Sequence, residues 1–236
     1  MPKKSKILTY RKVALISSGE NREPLVDVRT YDSTIISQYT EGEKKEMFPF
    51  TGDRIFVRDT VARKIAKINR KLARYGKFKL KIVAGYRHPT VQKKYFEKKR
   101  AQLKAMYPNL TNEELDSLTH NFVAVPSVAG HPTGGAIDVT IVNSKGNEID
   151  MGTQIADFRN PKKMKTFAKG LTNKQKKNRL LLHDILVREE FAPFYGEWWH
   201  FSYGDQEWAC FYNRAKSIYS QIKFKKHKNK KSSSLC

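Results

Sequence analysis

The stretch Gly130-His131-Pro132-Thr133-Gly134-Gly135-Ala136-Ile137-Asp138 constrains this chain more than any other, because two side chains of types able to ligate a metal lie seven positions apart with a glycine pair between them. From Ala136 to Val142 the residues alternate. Ile137, Val139 and Ile141 fall on one side and Ala136, Asp138 and Thr140 on the other, the period of a strand with one buried face. On a helix, two turns would hold His131 and Asp138 about 10 Å apart along the axis, too far to share an ion. A chain that doubles back at Gly134-Gly135 brings them together. The same residues also suit a plain hairpin with a turn histidine and a surface aspartate.

A second segment, Gly196-Glu197-Trp198-Trp199-His200-Phe201-Ser202-Tyr203-Gly204-Asp205-Gln206, favours the metal reading. His200 offers a third ligand, and Glu197 is a carboxylate close to it in sequence. Hydrolytic zinc sites use three protein ligands, one open position for water and a nearby base. Positions three apart on a strand face opposite ways, so Glu197 needs a local bend to reach the site. The two tryptophans suit dry walls around an ion or ordinary core packing.

These motifs, together with Asp150-Met151-Gly152-Thr153, Asn178-Arg179-Leu180-Leu181 and the continuation through Glu207-Trp208, resemble the zinc-dependent D-alanyl-D-alanine dipeptidases of the VanX type. The likeness runs from about residue 25 to about residue 209. It implies an α+β fold with a central, mostly antiparallel sheet flanked by helices, shared with hedgehog signalling domains. It implies one zinc ion per chain on His131, Asp138 and His200, Glu197 as the proton carrier, and hydrolysis of a small D,D-dipeptide. Tyr86-Arg87 is similar to the family's arginine motif, in which the guanidinium faces the oxygen of the scissile carbonyl. His88 intervenes before Pro89, where relatives often have proline directly after the arginine. The resemblance also assigns Asp157 to the free ammonium of the substrate. Its tyrosine beside the substrate amine corresponds to Tyr31, one place later than the pattern has it.

Along the chain, residues 1–24 read as a basic N-terminal extension, 25–222 as the catalytic domain and 223–236 as a basic, disordered tail. Val26, Val28 and Thr30 suggest a short strand. Residues 53–76 read as a helix with Val61, Ile65, Ile68 and Leu72 on its inner face and Gly76 as its stop. Phe78, Leu80 and Ile82 alternate with lysines and deliver Arg87 to a strand end. Residues 90–106 predict another helix, and Thr111 with Glu114 a capping box. Residues 162–177 read as a basic loop or insertion. A helix then starts at Asn173 or Lys174 and buries Leu181, Leu182, Ile185 and Leu186. Asp205 caps a last helix in which Trp208, Phe211, Tyr212, Ala215, Tyr219 and Ile222 share a face. His120 and His183 read as structural.

The 236 residues carry a formal charge of +23, which implies attraction to polyanions without naming one. Two cysteines make no disulfide framework, and no apolar run reaches membrane or signal-peptide length, so the expected location is the cytoplasm. Two alternatives to the dipeptidase remain open. One is a murein D,D- or L,D-carboxypeptidase or endopeptidase. The other is a basic polyanion-binding protein whose zinc is structural.

Overall fold

The computed structural model describes residues 7–224. In chain order the elements are α1 (Tyr10–Ala14), β1 (Leu25–Asp27), β2 (Ile36–Ser37), α2 (Glu41–Thr51), β3 (Phe56–Arg58), α3 (Asp59–Gly76), β4 (Lys79–Ala84), α4 (Pro89–Met106), α5 (Asn112–His120), β5 (Ala136–Val142), α6 (Pro161–Met164), α7 (Asn173–Val187), β6 (Ala192–Pro193), β7 (His200–Ser202) and α8 (Gln206–Phe211). Short 3₁₀ turns at Pro126–Val128 and His131–Thr133 lead into β5. The class is α+β. A five-stranded sheet runs in the order β2-β4-β5-β7-β6, and all its pairings are antiparallel except β2 with β4. β1 and β3 form a separate antiparallel pair.

Register places the site. Asp138 on β5 stands opposite Ala84 on one side and His200 on the other, so residues far apart in sequence share one row across three strands. The pairing of β4 with β5 shifts between Ile82 and Ala84, an irregularity of the kind that bends a strand end and re-aims the residues beyond it, here Gly85-Tyr86-Arg87. β5 is buried along its whole length rather than on one face. Ile137, Val139 and Ile141 enter the main core, while Asp138 on the opposite face forms part of a cavity floor.

α3 covers the core with Val61, Ala62, Ile65, Ala66, Ile68 and Leu72. It begins at Asp59, not Asp53. Ile55, Phe56 and Val57 fit the helical spacing equally well, but Phe56–Arg58 pairs with β1 and buries all three of its residues, and that long-range pairing overrides the local pattern. Gly76 is the last helical residue, and Lys77 takes the left-handed turn at φ 57°. The capping box at Thr111 and Glu114 forms, and α4 matches its expected span.

Three other expectations are corrected. α2, unforeseen, buries only Glu43, Met47 and Thr51, a stripe too narrow to stand out as an apolar pattern. The basic stretch after Asn160 contains the short α6. The last helix ends at Phe211, and Asn213 turns the chain at φ 54°. Ala215, Tyr219 and Ile222 therefore lie on an irregular strap, not on the helix that their spacing suggests. Tyr219 is buried all the same, because the strap runs back across the core and places Phe224 against Phe56 and Tyr86.

The strap also joins the N-terminal residues, since Ser17 bridges Lys216. Val13 of α1 packs with Phe96, Val125 and Val128. Residues 7–24 are thus built into the same body as the sheet rather than extending from it. The proposed tail lies almost wholly outside the described residues. No described helix is long and apolar enough to cross a membrane.

Candidate active site

One nitrogen or oxygen each from His131, Asp138 and His200 lie within 4.8 Å of one another. Asp138 reaches both imidazoles, Oδ1 at 3.0 Å from Nδ1 of His200 and Oδ2 at 3.5 Å from Nε2 of His131. The 3₁₀ turn carries His131 back over β5, and Gly134 closes it at φ 76°, where an added Cβ would lie 2.3 Å from Leu25.

The donor set fits a divalent ion. Nδ1 of His131 lies 2.8 Å from the carbonyl of Gly85 and donates to it, which leaves Nε2 as a lone pair facing a carboxylate oxygen. Burial, reinforced by Arg87, holds the His131 pKa down and favours this neutral form. Two acceptors face to face require positive charge between them. Tetrahedral zinc with bonds of about 2.0–2.2 Å sets neighbouring ligand atoms roughly 3.3–3.6 Å apart, close to the separations from Asp138. Despite burial, the two histidines hold the Asp138 carboxyl far below the usual range. Burial disfavours the His200 imidazolium, yet the bond to Asp138 outweighs it and pushes the pKa up to about 9.

A further carboxylate stands behind His200. Glu207 Oε2 is 3.8 Å from Nε2, on the ring edge opposite Asp138. A carboxylate there favours a proton on Nε2 and leaves Nδ1 free to ligate.

Glu197 sits on the tight turn between β6 and β7, where its N–H donates to Phe194 and its carbonyl accepts from His200. This turn supplies the bend that strand geometry demanded. The carboxylate is buried and lines the same cavity as the three-residue cluster. Burial pushes its pKa up to about 8, a shift that a cation beside it would oppose.

Arg87 lines this cavity too. Its Nε donates to Glu43 at 2.7 Å and its Nη1 to Gln92 at 2.9 Å, while the guanidinium lies over the ring of Tyr95. Burial alone would lower the Arg87 pKa, but Glu43 raises it and keeps the group charged. The cavity measures about 490 Å³. Trp199, Phe194 and Phe158 form apolar wall, with Lys98, Lys99 and Gln102 of α4 farther along. Both tryptophans pack in the core; Trp199 also forms cavity wall, while Trp198 donates to Thr153.

Tyr31 lies elsewhere, and Asp157 lies at the edge of the cavity. The hydroxyl of Tyr31 bonds Asp59 and its ring lies under Arg63, beside a separate cavity bounded by Asp32 and Arg70, so it is not part of this site. Asp157 stands at the rim of the cavity, paired with a neighbour rather than aimed inward. Its neighbours Ala156 and Phe158 line the cavity, but Asp157 itself does not, and its carboxylate holds Arg159 at 2.7 and 2.9 Å. The remaining described histidines have partners of their own, although His120 also lines the cavity. His88 accepts from Thr90 at the start of α4 and stacks on Phe50, His120 accepts from Val125, and His183 packs against Phe167 and Tyr195.

Sequence reasoning missed Glu43, Gln92 and Glu207. Thr40-x-x-Glu43 has the form of a capping box and could have revealed α2. Thr40 makes no side-chain cap, however, and Glu43 bonds Arg87 instead. Nothing local marks Glu207, which gains meaning only from its nearness to His200.

Residues 39–222 match the sequence pattern of the M15 peptidases, described as D-ala-D-ala dipeptidase. The chain belongs to this family. A D-alanyl-D-alanine dipeptidase of Synechocystis is 30% identical over 132 residues, covering 49% of this chain and 53% of the relative. One from Enterococcus faecalis is 33% identical over 107 residues, or 45% and 50% of the two chains. The M15 chain thus spans about half the length of the curated relatives it matches. Among solved structures, the LdcB LD-carboxypeptidase superposes with a TM-score of 0.45 at 19% identity, covering 82% of this chain and 76% of that one.

Proposed function

We propose that this chain is a zinc-dependent dipeptidase acting on D-alanyl-D-alanine or a closely related D,D-dipeptide. The observation that carries the reading is the convergence of His131, Asp138 and His200 in a cavity whose wall also bears Glu197. Family membership and the dipeptidase names of its relatives support the substrate class.

One zinc ion on the three ligands would act as a Lewis acid on the scissile carbonyl and lower the pKa of a water beside it. Glu197 takes a proton from the attacking water and passes it to the leaving amine as the peptide bond breaks. Arg87, fixed by Glu43 and Gln92, faces the negative charge that grows on the carbonyl oxygen, so little reorganisation is needed during the reaction. Gly85 and Glu207 hold the two imidazoles in their ligating tautomers. The free ammonium of the substrate goes to Asp157, whose carboxylate would exchange Arg159 for the incoming cation. Tyr31 takes no part.

A second reading, a carboxypeptidase acting on longer wall peptides, draws support from the cavity itself. It continues along α4 past Gln92 and Tyr95 to Lys98 and Gln102, leaving room for a longer chain. A polyanion-binding protein with structural zinc fits less well, since a closed structural site has no use for a buried carboxylate in an open cavity.

Zinc-loaded protein assayed on D-Ala-D-Ala, on its N-acetylated form and on muropeptides separates the three. Cleavage of the free dipeptide alone supports the first reading. Preference for blocked or longer substrates supports the second, and no release from any of them would move the assignment to the binding protein.

A further inference from the structure

The turn that carries His131 is held from three remote parts of the chain. The carbonyl of His131 accepts from the N–H of Arg87 at 3.2 Å and that of Pro132 from the N–H of Ile222 at 3.0 Å. Thr133 accepts from Nε of Arg58 at 2.6 Å and Gly134 from the N–H of Arg58 at 2.9 Å. Four consecutive carbonyls are thereby fixed from outside the turn. Such a short element has too few internal bonds to hold its own shape.

Arg58 is the hub. Its side chain is 2% exposed, and all five of its N–H donors are used. Besides Thr133, they reach both carboxylate oxygens of Glu20, at 3.1 and 2.9 Å, and the carbonyls of Glu23 and Ser220. The guanidinium also lies 4.9 Å from the ring centre of Tyr219. Glu20 in turn accepts from the N–H and hydroxyl of Ser220, and Tyr219 donates to Glu23. A planar, bidentate pair of this kind fixes direction as well as distance.

We propose that Arg58 is a positioning residue for the metal site, and that Glu20 and the strap at residues 219–222 act through it to hold His131 in its ligating orientation. This rests on the zinc reading of the site. It assigns the N-terminal segment a part in retaining the metal, although that segment contributes no ligand. Freed from Glu20, the guanidinium can turn away from Thr133, the turn gains a second conformation, and one of three ligands is present only part of the time.

The test is Glu20→Ala, at a residue exposed enough for the chain to fold, with Glu20→Gln as the conservative partner. Zinc loss to a chromophoric chelator is followed well below the melting temperature. The visible spectrum of the cobalt-substituted protein reports ligand geometry independently of turnover. Glu20→Ala is expected to release zinc roughly tenfold faster, the scale of losing an outer partner of a ligand, with altered cobalt bands. Glu20→Gln, which keeps one acceptor, should recover part of both effects. A lower melting temperature with unchanged release and unchanged bands would reduce Arg58 to a fold-stabilising role and overturn the proposal. A wild-type chain that takes up no metal would instead overturn the zinc reading, and this inference with it.

Discussion

The floor of the cavity and its lip are built in opposite ways. On the floor, Asp138 stands between Ala84 and His200 in the sheet, and neighbouring backbone is bonded to β3, β4 and the C-terminal strap. On the lip, from Gly152 to Leu171, Asp157 pairs with Arg159 only two residues away, Ala156 sits at φ 58° and Phe158 is 37% exposed. A buried arginine, Arg179, ties the lip down by donating to the carbonyls of Met151, just before it, and Lys165, within it. No Asp or Glu occurs between Arg159 and Lys177, whereas Lys64, Lys67 and Lys71 on α3 pair with Glu189 and Glu190. On the proposed reading, the groups that hold an ion and move a proton stand on the sheet and its tight turns, while the carboxylate assigned to the substrate stands on a loop.

The sharpest way to break this contrast is on the floor. His200→Ala should lose both zinc and turnover. Glu197→Gln should keep zinc, measured by elemental analysis, while kcat falls by about 10³-fold, within the usual range for a lost general base. Arg87→Lys should fall less, by about 10²-fold, because a single ammonium cannot replace the fork that bonds Glu43 and Gln92. If Glu197→Gln retained activity within a few-fold, the catalytic assignment would be wrong.

Changes on the lip should act on recognition instead. Asp157→Asn is expected to raise KM for D-Ala-D-Ala about tenfold with little change in kcat, and to leave the N-acetylated substrate unaffected. Equal effects on both substrates would remove Asp157 from ammonium binding and make the lip a structural element.

The smallest effect concerns stability at His120, whose Nδ1 accepts from Val125 and so must be unprotonated. Burial lowers its pKa from 6.5 to about 4. The unfolded chain therefore binds the proton first as pH drops. The stability contributed by the neutral ring is complete above pH 6.5 and is lost progressively as pH falls through 4, with an upper limit of about 3 kcal/mol. Melting curves at pH 7 and pH 5 should show a smaller difference for His120→Gln than for wild type, and an equal difference would refute the assignment.

The elements that were legible in sequence are those whose cause is local. The alternation in β4 and β5, the Thr111 and Glu114 capping box, the apolar stripe of α3 and the Asp205 cap each arise from neighbours within one or two turns. His131, Asp138, His200 and Glu197 could be chosen as candidates because few residue types suit metal ligation or proton transfer. Their meeting could not be derived from spacing alone, since it depends on strand register and a turn held by distant backbone.

Tertiary structure decided where local pattern was ambiguous or silent. It made Phe56–Arg58 a strand, ended α8 at Phe211, drew Glu43 from helix capping to Arg87, and placed Tyr31 beside Asp59. It also made a hub of Arg58, whose partners Glu20, Thr133 and Ser220 come from separate parts of the chain. The sequence by itself determined the chemical vocabulary and the local elements, because side-chain type and short-range periodicity are written along it. Which groups meet depended on burial and hydrogen bonding across long separations, and those forces act only once the chain has closed on itself.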